Sequence, residues 1–225
     1  MRTLKVIGRD FTEYEVKNTN TPGRDGVLNQ GKFLKPRPLK IRMKIKSDSH
    51  LNLIKLMESI NKHFDSRIPQ VISFSDERMS YYGAFVSKGE TSGYKKSEII
   101  DFDFICHDSY KYTEERIINY TNTAILSVDT KYPVKPTIDI VFSPTTTEIS
   151  IRNTTTDKTI NIDGSVYGPV TIDVYENELL RGTEDMKSDM YLSSDWEDFT
   201  INDGDQIVVT PTPESMIIKY RGVYL

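Results

Sequence analysis

Residues 32–46 read KFLKPRPLKIRMKIK, and the second half of this stretch decides how the chain folds. From residue 39 onward the alternation is strict. Leu39, Ile41, Met43 and Ile45 fall on one face, and Lys40, Arg42, Lys44 and Lys46 on the other. A period of two predicts a half-buried strand, because successive side chains of a strand point to opposite sides. Immediately upstream, residues 18–33 read NTNTPGRDGVLNQGKF, with Gly23 and Gly26 bracketing Arg24 and Asp25. A phosphate-cradling glycine loop leads from a strand into a helix N-terminus, where free N–H groups meet the anion. Here the next element is a strand, so a turn is expected instead.

Working outward, residues 4–16 give a strand, a turn at Gly8-Arg9-Asp10 and a second strand. Residues 48–64 form the one amphipathic helix, with Asp48 or Ser49 as its cap and Leu53, Ile54, Met57, Ile60 and Phe64 as its apolar stripe. Residues 70–76 and 79–87 read as a strand pair and SGYKKSE (92–98) as a turn. In residues 99–108, Asp101 and Asp103 alternate with Ile100, Phe102 and Phe104 to make a further strand. Pro133 and Pro136 mark a boundary, since proline lacks the ladder donor. This divides the chain into residues 1–132 and 133–225. The second part is read as short strands with turns at Asn153-Thr154, Asp163-Gly164, Glu176-Asn177 and Asp203-Gly204, the pattern of a sandwich or jelly roll.

Composition narrows the function. A net charge of −4 and pI near 5.5 argue against a general nucleic-acid binder. The lone Cys106 excludes an intrachain disulfide and suits a reducing compartment. No secretory signal is visible at the start, and no apolar run approaches the ~20 residues of a membrane helix. His50, His63 and His107 have no metal-ligand spacing, so no metal and no cofactor are expected. Cys106 and His107 are strand neighbours and point apart, which leaves Cys106 as a buried structural residue. GxSxG is absent, and neither Asp101/Asp103 nor Asp195/Glu197/Asp198 signals an acid pair on its own. No catalytic residues are assigned, and the chain is not expected to be an enzyme. Trp196 could stack on a sugar or serve as a wedge between strands.

The basic face of Lys40, Arg42, Lys44 and Lys46 has its counterpart in Asp101 and Asp103. Opposite charges on neighbouring strands contribute roughly 0.2–1 kcal/mol per pair. The two strands either pair within one sheet or meet across a subunit boundary. No aromatic residue interleaves the basic positions, so base stacking is disfavoured.

TPGRDG (21–26), LNLIKLMESIN (51–61), ISFSDERMSYYGAFV (72–86) and FDFICHDSYKY (102–112) follow one another in an order that resembles the siphophage distal tail (Dit) family. NTTTDKTINIDG (153–164), PVTIDVYENELL (169–180), WEDFTINDGDQIVV (196–209) and IIKYRGVYL (217–225) are similar to the galectin-like second domain of that family. Two departures stand out: Ser109 where the family usually has proline, and Asp205 where asparagine is common. The resemblance implies a mainly β protein. Its N-terminal domain is β-sandwich-like with one helix and its C-terminal domain is a galectin-like jelly-roll sandwich. It further implies a structural hub of the virion, assembled in the host cytoplasm. On this resemblance the N-terminal domain is expected to form a hexameric ring under the tail tube protein, through which DNA passes without specific binding. A tail-associated, tape-measure-linked protein is expected on the opposite face, with receptor-binding or baseplate proteins held by the second domain. The galectin sugar signature is missing around Trp196, so a scaffold is favoured over the alternative, a carbohydrate-binding module for host attachment. A head-to-tail ring joins two different patches of one chain. The candidate interface is Gly23, Arg24, Asp25, Gly26, Lys40, Arg42, Lys44, Asp101 and Asp103.

Overall fold

The computed structural model describes residues 1–20, 22–23, 25–89, 96–120, 122 and 124–225. Most of SGYKKSE, and Arg24 of the candidate interface, lie outside the described residues. The chain divides into two compact units, Met1–Lys111 and Tyr112–Tyr224, mainly of β-structure.

In the first unit the strands are β1 (Arg2–Ile7), β2 (Tyr14–Asn20), β3 (Val27–Leu34), β4 (Arg37–Lys46), β5 (Gln70–Ser73), β6 (Ser80–Lys88) and β7 (Ser97–Cys106). Helix α1 (His50–Phe64) lies between β4 and β5. The sheet order is β1-β4-β7-β6, with β5 on β6. β4 and β7 run antiparallel in unbroken register from Arg37↔Cys106 to Lys46↔Ser97. The alternation read in residues 39–46 therefore sets the sheet's two faces. Leu39, Ile41 and Ile45 turn inward with Ile100, Phe102, Phe104 and Cys106, while the lysines stay outside.

Helix α1 covers that inner face. Ser49 rather than Asp48 caps it, its hydroxyl accepting from Asn52 N at 3.2 Å. Lys62 and His63 occupy the last turn, where cations complement the helix dipole. Leu53 and Ile60 are buried, and Met57 and Phe64 pack against the core. Phe64 stacks on Phe85 at 4.9 Å between centroids and meets Phe102 and Phe104 edge-on. Ile54, expected in the stripe, is 41% exposed, and Leu56 takes the inward position instead. A stripe on a single sheet face is narrower than the apolar residues of this helix allow.

The short strand β8 (Lys111–Tyr112) carries the chain into the second unit, which contains β9 (Arg116–Tyr120), β10 (Thr137–Asn153), β11 (Lys158–Asp173), β12 (Glu178–Arg181), β13 (Glu184–Asp185), β14 (Ile207–Thr210), β15 (Ser215–Tyr220) and β16 (Val223–Tyr224). The change of unit falls about twenty residues before the proline-based boundary at 132/133. The physical reason is pairing: β9 lies on β15 from Arg116↔Tyr220 to Tyr120↔Met216. Of a linker or a first-strand boundary at Pro133 and Pro136, the structure has the strand boundary, since β10 begins just after Pro136. Val134 between them exchanges both backbone hydrogen bonds with Ile201, at 3.0 and 2.8 Å.

The long hairpin β10–β11 organises this unit. The first half of β10 pairs with β15 and the second half with β14, with irregular register between Phe142 and Glu148. Ile138, Ile140, Ile149 and Ile151 are all fully buried, as are Ile160, Ile162, Val170 and Ile172 of β11. Asp163-Gly164, expected as a turn, lies within β11. The inward alternation continues through it from Ile162 to Val166. Gly164 serves the strand itself, because its φ of +144° is a conformation that side chains with a Cβ rarely adopt. The turn at Asn153 is built around a buried side chain. Its Oδ1 accepts from Thr155 N and Thr156 N, and its Nδ2 donates to Thr200 O and Asp205 Oδ2. Asp205, where the family commonly has asparagine, also accepts from Asn202 N at 2.9 Å, so one oxygen takes both bonds, a role an asparagine amide oxygen fills equally.

Candidate assembly surfaces

β2 and β3 form a two-stranded ribbon that, among the described residues, joins no other sheet. Every residue of β2 is exposed, and so are Leu28 and Phe33 of β3. Tyr14 and Val16 add apolar surface to the same ribbon. Lys32 sits 3.7 Å from the Tyr14 ring centroid and Lys17 4.9 Å from that of Phe33, so each strand lays a cation over an aromatic of the other. A lone hairpin is marginal in water, because one layer of strands has no core to bury. This surface is therefore unusually apolar and unusually unsupported within a single chain.

Residues 18–33, expected as a turn, instead give Asn18–Asn20 to β2 and residues 27–33 to β3. Gly23 and Gly26 have φ of +78° and +86°, a region that favours glycine, and Asp25 is exposed between β2 and β3. At the root, Lys35 N donates to Glu13 O at 2.9 Å.

Below the root lies Arg37, which carried no signal in the sequence beyond its place before a proline. It is 2% exposed, yet no carboxylate touches its guanidinium among the described residues. Nε donates to Ser109 O at 3.0 Å, Nη1 to Gly8 O and Arg9 O at 3.0 and 3.2 Å, and Nη2 to Thr12 Oγ1 at 2.6 Å. One side chain thus ties the β1–β2 turn to the segment after β7. Gly8 is held against β4 so closely that a Cβ would fall 2.0 Å from Pro38 O. Ser109, in place of the usual proline, still offers the carbonyl that Arg37 needs and donates its own hydroxyl to Lys35 O.

The charged faces of β4 and β7 meet inside one sheet. Arg42 grips Asp101 with two bonds of 2.7 and 2.8 Å, Nε to Oδ1 and Nη2 to Oδ2. Lys40 lies 3.4 Å from Asp103, which also accepts from Ser87 Oγ. Lys44 faces Ile99 across the ladder. The Arg42 guanidinium holds the Asp101 carboxyl below the usual carboxylate range, chiefly through the hydrogen bonds. This pair therefore adds stability at neutral pH that fades as pH falls through that lowered value. Of the two placements the sequence left open, pairing within the sheet is the one adopted.

The remaining candidates are structural in their surroundings. Burial pushes the Cys106 thiol up to about 11, so it is a poor nucleophile. Trp196 is buried on a single 3-10 turn, with its indole N–H unpartnered among the described residues, and offers no face for a sugar. Among the described residues no three His, Cys, Asp or Glu side chains converge as metal ligands, and no helix is long and apolar enough to cross a membrane.

Comparison with known proteins places this architecture. Residues 2–103 match the phage tail protein RIFT-related domain, and residues 129–224 match the siphovirus-type tail component, C-terminal domain. No curated protein matches the chain. Among solved structures, the SPP1 Dit protein, titled a paradigm of hub adsorption apparatus in phages infecting Gram-positive hosts, superposes with a TM-score of 0.84 at 21% identity. That match covers 100% of this chain and 93% of the other. A chain of the phage p2 baseplate in its activated conformation superposes with a TM-score of 0.59 at 10% identity, over 98% of this chain and 90% of that one. The first match lies in the first unit and the second match in the second, and the chain belongs to the siphophage distal tail protein (Dit) family, structural components of the viral tail.

Proposed function

We propose that this chain is the hub of a phage tail tip, closing through its first unit into a hexameric ring at the distal end of the tail tube. The observation that carries the reading is the β2–β3 hairpin, whose strands have no sheet and whose apolar residues have no core within one chain. A head-to-tail contact supplies both, by laying the hairpin of one copy on a different patch of the next. β1 offers such a patch: it is the edge strand of its sheet and is exposed along nearly its whole length. Gly23, Arg24, Asp25 and Gly26, which lie between β2 and β3 in the sequence, belong to this contact. Lys40, Arg42, Asp101 and Asp103 contribute a face of compensated charge, with Lys44 beside them. Such a face suits passage of DNA better than retention, because paired charges leave little field to hold phosphates. The second unit serves as a scaffold for tail-associated and receptor-binding proteins, and assembly takes place in the host cytoplasm before the virion is complete.

Light scattering over a range of concentrations tests the ring. The expected result is a species near six times 25.9 kDa. Val16→Glu combined with Leu28→Glu places charge on both faces of the hairpin and should return the mass to a single chain. Thermal unfolding should barely move, since exposed substitutions change stability within about 0.5 kcal/mol. A parent that stays at the single-chain mass even with tail tube rings added would sink the proposal. A ring indifferent to both glutamates would remove the hairpin from the contact.

A further inference from the structure

The exposed edge of β14 in the second unit is closed by side chains rather than by a strand. Among the described residues, β14 pairs with the strand β10 on one side only. On its other side, Asn122 Oδ1 accepts from Val209 N at 2.7 Å and Asn122 Nδ2 donates to Val209 O at 2.8 Å. A primary amide presents the same C=O and N–H pair as a peptide unit, so this one side chain occupies the place of a residue in a neighbouring strand. Two residues along, Tyr120 Oη accepts from Ile207 N at 3.1 Å and lies 2.9 Å from Ile207 O, sharing its proton between that carbonyl and Ala124 O. Alternate residues of an antiparallel strand turn their polar groups to the same edge. Ile207 and Val209 are the residues that face outward here, and both are satisfied.

We infer that Tyr120 and Asn122 form an edge lock, which keeps β14 from adding a strand of a second copy of this chain. An open edge is a template for pairing with another chain. The residues beside it would favour that pairing, because Val208 is only half-buried and Ile125 is exposed next to Gln206 at the start of the strand. The lock satisfies the backbone without leaving an extended partner strand that would itself have a free edge. Its hydroxyl comes from the end of β9, so the lock is set only once β9 has docked on β15.

Asn122→Val in the full chain removes the amide and keeps a β-compatible side chain. Amide hydrogen exchange is expected to be at least tenfold faster at Val209, and light scattering to show a mass that rises above the parent's with concentration. Adding Val208→Glu, which sets a carboxylate opposite Arg152, should return the mass to that of the parent while Val209 stays fast. Unchanged exchange at Val209, a mass equal to the parent's at every concentration, or association that survives Val208→Glu would each overturn the lock. If Asn122→Val fails to fold, Tyr120→Phe provides the same pair of readings at Ile207, with the same criteria.

Discussion

Arg37→Leu should cost the first unit about 3 kcal/mol and lower its unfolding midpoint without changing the fold class. The guanidinium is buried and serves three carbonyls and one hydroxyl, from Ser109, Gly8, Arg9 and Thr12. Leaving a buried acceptor unmade costs about 1–3 kcal/mol. Some of that returns, because a buried cation carries its own desolvation cost and leucine does not. The balance remains unfavourable, since three carbonyls converge on one position and no single side chain of leucine's shape can serve them. Arg37→Lys should recover little of the loss: an ammonium lacks the planar fork that reaches Ser109 on one side and Thr12 on the other. Far-UV circular dichroism in urea measures the effect, and a loss under about 1 kcal/mol for Arg37→Leu would show that water replaces the fork. The same joint sets the root of the β2–β3 hairpin. Arg37 variants that remain folded should therefore also assemble less well than the parent, which the scattering measurement reads directly.

Gly222→Ala should cost the second unit about 3 kcal/mol or more. The new Cβ would stand 2.1 Å from Asp129 O and 3.3 Å from Thr113 Cγ2. The obstacle is backbone, and that backbone is held. Gly222 exchanges bonds with Thr113 at 2.8 and 2.9 Å, Val223 N donates to Thr130 Oγ1, and Lys131 N donates to Val223 O. Relief requires moving two pinned segments, and overpacking of this kind costs about 1–3 kcal/mol even where side chains can yield. Trp196 is the single tryptophan and is buried in this unit, so its fluorescence reports the second unit alone. Gly222→Ala should shift the fluorescence transition, and Arg37→Leu should leave it in place. A fluorescence midpoint unchanged in Gly222→Ala would mean that the 129–131 segment yields freely. Movement of the fluorescence transition in Arg37→Leu would mean that the two units unfold as one.

The sequence revealed the elements better than their company. Residues 39–46 and 99–106 recorded their own burial, because the period of two is written in each strand and needs no partner to be seen. Cys106 as a core residue followed from the same alternation. Helix α1 was legible from its cap and stripe, with Ile54 misplaced because helical spacing alone does not say how wide the covered face is. Glycine at Asp163-Gly164 misled for a related reason: it marks a positive φ, and a strand can contain one as well as a turn. The prolines at 133 and 136 likewise mark missing donors, while Val134 between them supplies the pairing.

By itself, then, the amino-acid order determined the strands at 39–46 and 99–106 with their buried faces, the single helix of the first unit, and, through the ordered motifs, which family they resemble. Tertiary structure decided that Arg42 meets Asp101 within one sheet, that β9 belongs to the second unit, that Arg37 sits buried among carbonyls, and that one hairpin is left without a sheet. Alternation and capping are local and repeat within a few residues. Pairing joins positions such as 42 and 101, or 37 and 109, and is chosen by competition among all the strands. No pattern within either segment records that choice.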